Sequence, residues 1–304
     1  MTIFVSFAIL VMPEQAATEL NGRADFIGAL QQGQNWLKDQ EVAMENRFSN
    51  SDIPLKALGF LLILSVMVTF GCNFITQAAG GVLQEVQGSG KIITQDRAVS
   101  GFNRIELGGT GQVTITQGDQ EALTVEADDN IMPYIRSDVR GSTLYLGFTS
   151  AALSMRIRPS TPIKFNITMK QISGLEVSGS GNITAPNVDT SSLELQISGS
   201  GNVDIAALKA VSLDTGVSGS GSVNLSGQVT DQKISISGSG KYEAAKLQSQ
   251  TADVSVSGSG DTTLWVTETL NVHISGSGDV SYYGNPGIQS SSSGSGKIRS
   301  LGNP

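Results

Sequence analysis

Carboxylates are the candidate catalytic residues of this sequence, because cleavage of a glycosidic bond needs two facing acids. Asp261 and Asp279 each follow a Gly-Ser-Gly run and are predicted to stack on neighbouring units of a repeat. The equivalent positions of other units hold Lys241 and Lys297, so the row is mixed in charge. About one acid per unit is typical of a solvated face, and we therefore predict no catalytic residue. The acids considered are Asp189, Glu194, Asp204, Asp214, Asp253, Asp261, Glu268 and Asp279.

Calcium is the second chemistry, because glycine-rich repeats that contain Asp bind it through oxygen ligands. The period here is twice that of calcium-binding nonapeptides, and two lysines in the row oppose a cation array; a single ion beside two neighbouring Asp is the alternative. His273 is the chain's one histidine, and the buried alternation of Val272 and Ile274 predicts that it points outward. Cys72 is the one cysteine, so neither a disulfide nor a Cys cage can form within the chain. We expect no metal site and no cofactor. The row after each Gly-Ser-Gly run reads Asn182, Asn202, Ser222, Lys241, Asp261, Asp279 and Lys297.

Aromatic side chains are the third candidate, because their flat apolar faces can stack on sugar rings. The alternative for the same residues is ordinary packing between repeats or capping of the last repeat. The predicted ligand contacts are Trp265, Tyr242, Tyr282 and Tyr283.

The composition limits the class of protein. The chain has 304 residues, a formal charge of −8, only 15% charged residues and 36 glycines, which favours an all-β fold with many turns. No basic stripe is present to neutralise phosphates, so nucleic acid is not expected as a partner.

A Ser-Gly-Ser-Gly repeat organises the C-terminal half. Its seven copies recur every 18–20 residues, a fixed period that a flexible linker has no reason to keep. Apolar residues alternate before most copies, as at Leu195 and Ile197, which indicates a strand with one buried face. We therefore predict stacked coils whose glycines lie at a corner, where φ is positive or the chains approach too closely for a side chain. The copies begin at Ser178, Ser198, Ser218, Ser237, Ser257, Ser275 and Ser293.

Residues before the repeats use the same alphabet with irregular spacing. The segments 87–92 and 109–113 each resemble a repeat unit, and several alternating strands follow between 102 and 169. We interpret this region as the capping half of one continuous β-structure, with a separate domain as the alternative.

The apolar run Ala57 to Phe70, preceded by Lys56 and followed by Gly71-Cys72, resembles a bacterial lipoprotein signal peptide. The resemblance implies lipidation of Cys72 and a membrane anchor, and we expect the outer membrane. Thr69 stands where that signal usually has Leu. A plain signal peptide or a membrane helix is the alternative.

The predicted organisation has four parts. Residues 1–55 share no pattern with the rest of the sequence. Met44 would serve as a translation start downstream of Met1. The parts are an extension of uncertain role (1–55), a leader (56–72), a linker (73–86) and a β-helix domain (87–304), with the repeats clearest over 173–300.

The repeat, the leader and the opening strands together resemble the head GIN domain family, DUF2807, of autotransporter-adhesin-like proteins. The resemblance covers about residues 92–301. It implies a right-handed parallel β-helix similar to pectin-lyase-like proteins, a role in cell-surface adhesion and no established catalytic residues. A glycan or protein ligand is expected. The periplasmic and the external face of the membrane are alternative locations for the protein. A carbohydrate-active lyase or hydrolase is the alternative. The opening residues that match are Phe102, Ile105, Leu107, Val113, Ile115, Gln117 and Gly118.

Overall fold

The computed structural model describes residues 84–304, which form twenty β-strands and two 3-10 helices, Met132–Tyr134 and Ser150–Ser154. The predicted extension, the leader with Cys72 and most of the predicted linker lie outside the described residues. In the described part, no helix has the length and apolar character needed to cross a bilayer.

The strands of the N-terminal half are short, and those of the repeats are long. They are β1 (Gln84–Gln87), β2 (Ile92–Arg97), β3 (Arg104–Gly109), β4 (Gln112–Gln117), β5 (Ala122–Asp128), β6 (Ile135–Arg140), β7 (Thr143–Phe148), β8 (Met155–Arg158), β9 (Lys164–Met169), β10 (Gly174–Gly179), β11 (Asn182–Ala185), β12 (Val188–Asp189), β13 (Ser192–Gly199), β14 (Asn202–Gly219), β15 (Ser222–Gly238), β16 (Lys241–Gly258), β17 (Asp261–Gly276), β18 (Val280–Tyr283), β19 (Gly287–Gly294) and β20 (Ile298–Ser300).

The Ser-Gly-Ser-Gly repeats form the coils of a parallel β-solenoid of about six turns. Ser198 of β13 pairs with Ser178 of β10 on one side and with Ser218 of β14 on the other, and the register continues through β19. The backbone of each coil is thus hydrogen-bonded to the coils above and below it. The prediction of an all-β solenoid built on this period is confirmed.

The core is a set of apolar columns inside the coils. Leu195 and Ile197 are buried while Gln196 between them is partly exposed, which is the alternation expected of a strand with one inward face. The second position after each Ser-Gly-Ser-Gly run is also inward: Val203 lies in register with Val223, and Val223 with the fully buried Tyr242.

The two glycines of each repeat are required for different reasons. Gly219 has φ of +122°, and a Cβ there would lie 2.4 Å from the carbonyl oxygen of Gly199 in the preceding coil. Gly221 would place a Cβ 2.5 Å from the carbonyl oxygen of Gly201 and 2.5 Å from a methyl carbon of the Ile197 side chain. The first glycine therefore supplies a positive φ at a close backbone approach, and the second leaves room for the backbone and for a core residue of the preceding coil.

The N-terminal half stacks out of sequence order. β3 and β4 form a coil directly beneath β10 and β11, and Gly109 pairs with Gly179, so the prediction of a repeat-like unit at 109–113 is confirmed. β7 and β9 pair with the opposite edges of β3 and β4. The β3–β4 coil is thus enclosed between a later segment and the first true repeat.

Antiparallel strands close this end of the sheet. β5 pairs with β9 and β2, and β6 pairs with β7, all antiparallel. The prediction that residues 87–92 form a repeat unit is wrong. They lead instead into β2 and are held by the turn that follows β5.

The buried carboxylate of Asp128 fastens that loop. It accepts hydrogen bonds from the amides of Gly90 at 2.8 Å and Ser160 at 2.9 Å, and from the Ser160 hydroxyl. Burial opposes its ionisation, but these donors outweigh burial and hold the pKa of Asp128 below its usual range. The Ser89 hydroxyl donates to Asp129 at 2.6 Å.

The C-terminal coil ends the apolar columns. Ser290 and Ser292 of β19 lie in register above Val272 and Ile274, and the whole strand is exposed. The last coil therefore offers hydroxyls where an added coil would need an apolar layer.

Candidate functional site

The corner opposite the Ser-Gly-Ser-Gly runs is where coil length changes. On the glycine side, the strands stay in register through all repeats. Elsewhere each long strand pair carries a β-bulge or irregularity, and these devices bend a strand and redirect its side chains. We term this region the variable corner. Its register shifts lie between Ile205 and Leu208, between Asn224 and Ser226, between Ala244 and Gln248, and between Ser249 and Thr251.

A shallow groove crosses several coils on the face between the Ser-Gly-Ser-Gly runs and the variable corner. Part of it borders the variable corner, and the rest borders Asn182, Asn202 and Ser222, which follow the glycines. It consists of two adjoining depressions of about 370 and 530 Å³ that share Thr184, Asp204 and Asn224. The small side chains of Ala206 and Ala245 line it where the coils bulge, which is one reason for the concavity. The groove crosses several coils because each contributes an equivalent outward residue.

Hydrogen bonds between coils hold the polar wall of this groove in place. The Asn224 amide donates to Asp204 at 2.7 Å, and the Asn202 amide donates to Asn182 at 2.8 Å. The Ser222 hydroxyl donates to Asn202 at 2.5 Å. A carboxylate has about four acceptor sites, so Asp204 keeps capacity for a ligand hydroxyl.

Trp265 and Tyr283 are brought together at the same corner. They are register partners in β17 and β18, and both are partly exposed. The neighbouring Leu264 is buried, so alternation directs Trp265 outward, and its partner Tyr283 shares that column. The register shift after Ala244 pairs Trp265 with Gln248, on the coil next to the last one that lines the groove.

The other two predicted aromatic contacts face the interior. Tyr282 lies in register with Leu264 and packs against the core. Tyr242 is fully buried, its hydroxyl donates to Gln232 at 2.6 Å, and burial raises the pKa of that hydroxyl. The ring of Tyr242 therefore presents no face to a surface ligand, and its role is packing between coils.

The predicted acid pair serves the backbone. Asp261 accepts a hydrogen bond from the amide of Asp279 at 3.3 Å, and Asp279 accepts one from the amide of Lys297 at 2.9 Å. Arg299 lies 3.6 Å from the Asp279 carboxylate. Each acid thus supports the corner of the next coil. His273 is exposed, as alternation predicted, and its Nδ1 lies 2.7 Å from the Ser291 hydroxyl.

Two glutamates that sequence reasoning missed stack on adjacent coils. Glu106 and Glu176 are register partners; burial and then the charge of Glu176 raise the pKa of Glu106, while Arg136 lowers it. Glycosidase acids flank the bond from opposite sides, whereas these two project side by side from one sheet face. Alternation at each strand placed both glutamates outward, but pairing them required the out-of-order stacking of β3 beneath β10.

No group of three or more His, Cys, Asp or Glu side chains within residues 84–304 is placed to hold a metal ion. The fold and the site together define a parallel β-solenoid with an open groove along its axis and an aromatic pair at one end of that groove.

The chain belongs to the family described as "Putative auto-transporter adhesin, head GIN domain" (DUF2807), whose model matches residues 101–286. This confirms the resemblance inferred from the repeat and the opening strands.

Solved structures show the same fold. A putative adhesin from Bacteroides fragilis is 31% identical, with a TM-score of 0.67 over 71% of this chain and 100% of that chain. A putative lipid binding protein from Parabacteroides distasonis is 24% identical, with a TM-score of 0.61 over 72% and 100% of the two chains. A putative adhesin from Parabacteroides merdae is 21% identical, with a TM-score of 0.57 over 72% and 99%. Among curated proteins, none matches this chain.

Proposed function

We propose that this protein is a non-enzymatic, adhesin-like binding protein of the cell envelope, whose ligand lies along the variable corner. The pairing of Trp265 with Tyr283 beside the groove carries the proposal. Two adjacent aromatic side chains that stay partly exposed on the outer surface are available for contact with a ligand. The family description and the Bacteroides fragilis adhesin, at 31% identity, support a binding role.

Binding fits the geometry better than catalysis does. The carboxylates of Asp261 and Asp279 accept hydrogen bonds from backbone amides of the next coil. The groove is open and shallow, and its walls are preorganised by hydrogen bonds between coils. A surface of this kind suits contact with a glycan or a protein, and a lyase or hydrolase activity is an outcome that the tests below would detect.

A direct test is an array of glycans and matrix proteins probed with the full chain. We expect at least one ligand whose affinity falls at least about tenfold, equal to about 1.4 kcal/mol, in the double variant Trp265→Ala/Tyr283→Ala. Gln228→Ala is the matched control, because Gln228 occupies the same outward column two coils earlier. Unchanged binding by the double variant would place the ligand elsewhere. Hydrolysis of any polysaccharide that Asp279→Ala abolishes would replace binding with catalysis.

We also propose that Cys72 carries a lipid that anchors the chain to the outer membrane. The support is the sequence alone: a basic residue, an apolar run and Gly71-Cys72. Metabolic labelling with palmitate should mark the full chain and leave Cys72→Ala unlabelled. Equal labelling of both would contradict lipidation at this residue. Protease digestion of intact cells then decides between the external and the periplasmic face.

A further inference from the structure

One outward column supplies a polar group from every coil that the groove crosses. Thr114 pairs with Thr184, Thr184 with Asp204, Asp204 with Asn224, and Asn224 with Glu243. The column continues as Thr263, and Trp265 is the next outward side chain of that strand. Adjacent coils are about 4.8 Å apart, so the row from Thr114 to Tyr283 crosses seven coils and spans about 29 Å.

The spacing of this row fits a chain of pyranose rings. The length of one pyranose ring in an extended chain is of the same order as the spacing between coils, which is about 4.8 Å. A ligand parallel to the axis would therefore meet an equivalent set of groups at each ring. A globular protein surface has no such period, and the row would contact it at few points.

The chemistry of the row fits sugar hydroxyls at one end and sugar ring faces at the other. Asp204, Asn224 and Glu243 offer carboxylate and amide groups that accept and donate hydrogen bonds. Trp265 and Tyr283 offer flat apolar surface, against which the C–H face of a pyranose can pack and exclude water.

The charges along the groove give no preference for an acidic ligand. Asp204 lines the groove without a cationic partner among the ion pairs of residues 84–304, and Glu243 is paired with Lys241 at 3.3 Å. Lys246 is a cation at the rim, so these two acids and two lysines balance in formal charge. The row therefore has no excess of positive charge to attract an anionic polysaccharide.

We propose that the variable corner binds one linear, uncharged glycan of pyranose units that lies parallel to the stack of coils, with about one sugar per coil. This rests on the proposed function and names the ligand class of the same site. The aromatic pair holds one end of the glycan, and the polar column orients the rest.

Tryptophan fluorescence gives a specific readout. The chain has two tryptophans, so the full chain carrying Trp36→Phe reports on Trp265 alone. The probes are neutral β-linked gluco- and manno-oligosaccharides of two, four, six and eight units, with a galacturonate hexamer as the anionic probe. For one neutral series we expect an emission shift on binding. Kd should fall at least about tenfold from two to six units and less than about twofold from six to eight, because about seven units cover the row.

Variants separate the two ends of the row. Tyr283→Ala in the same background should weaken every length, while Asp204→Ala should weaken the six-unit glycan and leave the two-unit glycan unchanged. Gln228→Ala should leave all lengths unchanged, and matching circular dichroism and melting curves confirm that each variant is folded. Equal Kd values for two and six units, tighter binding of the galacturonate, or no emission shift with any neutral hexamer would overturn the proposal.

Failure of this proposal differs from failure of the proposed function. If the array finds a protein ligand that depends on Trp265 and Tyr283 while no neutral glycan binds, the adhesin-like function stands and the glycan assignment falls. If no ligand depends on the aromatic pair, both fall.

Discussion

The glycine corner and the variable corner solve opposite problems in the same coils. At the glycine corner, backbone follows backbone closely: the amide of Ser220 donates to Gly199 at 2.8 Å, and that of Ser239 donates to Gly219 at the same distance. At the variable corner, the bulges after Ile205, Asn224 and Ala244 change the number of residues between strands. One corner fixes the stack and the other absorbs differences in coil length.

The difference explains how repeats of 18–20 residues stay aligned. Because the period of a strand is two residues, a slip of one would turn core residues outward. A fixed corner resets the register in every coil, so variation in length is confined to the other corner. The same variation produces the groove and places Trp265 beside it, which links irregularity of the repeat to recognition.

The sharpest way to break the comparison is to insert one serine at each corner in turn. Between Ser220 and Gly221 the insertion shifts β15 by one residue and turns Val223 and Leu225 outward, which should lower the free energy of unfolding by about 3–6 kcal/mol. Between Ala206 and Ala207 it should cost less than about 1 kcal/mol, because a surface loop lengthens cheaply. Urea denaturation measures both. Similar losses at the two corners would contradict the division of roles.

A single methyl group tests the glycine corner alone. Gly219→Ala should lower the free energy of unfolding by about 2–4 kcal/mol, because the positive φ is strained and the Cβ meets the Gly199 carbonyl. The exposed change Ala206→Ser at the variable corner is the control, expected within about 0.5 kcal/mol. For each variant, thermal and urea unfolding should give the same change in stability. An unchanged free energy of unfolding for Gly219→Ala would show that the glycine corner relaxes around the added methyl group.

The interior reveals where the variable corner disturbs the core. The Gln232 amide donates to the Ser249 hydroxyl at 2.7 Å, and that hydroxyl donates to the Trp265 carbonyl at 3.1 Å, which ties the polar chain from Tyr242 to the shortened corner. Tyr242→Phe leaves the Gln232 carbonyl unpaired in the core and should cost about 1–3 kcal/mol in urea denaturation. Tyr283→Phe, at the surface, is the control and should change stability by less than about 0.5 kcal/mol. Equal effects would mean that water serves Gln232 equally well.

Changing the pH tests the N-terminal end of the solenoid and neither of the two corners. Its effect on the free energy of unfolding should be the smallest, because it alters charge alone. The folded-state pKa of Asp128 is lowered, so its contribution is complete above the unfolded value of about 3.9 and is lost as pH falls through the folded value. The stability difference between the native chain and Asp128→Asn should therefore shrink toward pH 3. Glu106 has a raised pKa, so its contribution is complete below the unfolded value of about 4.3 and is lost as pH rises through the folded value. Glu106→Gln should remove that opposite trend. Chemical denaturation between pH 3 and 7 checks both signs, and parallel curves for all three proteins would refute the assignment.

The repeat made much of the fold predictable from sequence. Period, alternation and glycine spacing are local properties, so they predicted the coils and the glycine corner. Tyr242 was predicted as a ligand contact with packing between repeats as the alternative, and the structure buries it in the row of Val203 and Val223. The pairing of Trp265 with Tyr283 follows from the repeat, because each residue lies eight positions after the first serine of its Ser-Gly-Ser-Gly run. The pairing of Trp265 with Gln248 depends on three residues dropped after Ala244, and nothing in the local sequence shows where the coil loses them. The segments 87–92 and 109–113 look alike, yet only the second stacks, because Asp128 binds the first from 38 residues away.

The out-of-order coil at the N-terminal end has a consequence for the order of assembly. Residues 84–173 leave the ribosome before any true repeat. They already contain the β3–β4 coil on which the first repeat stacks, and β7 and β9, which pair with the other edge of that coil. We expect this end to fold first and to act as a seed, with each later coil added to an edge whose register is already set. Pulse-labelled hydrogen exchange during refolding should then protect β3 and β4 before β16 and β17. The long-range pairing that slows most β-proteins becomes, from that seed onward, a series of steps between neighbours about 20 residues apart.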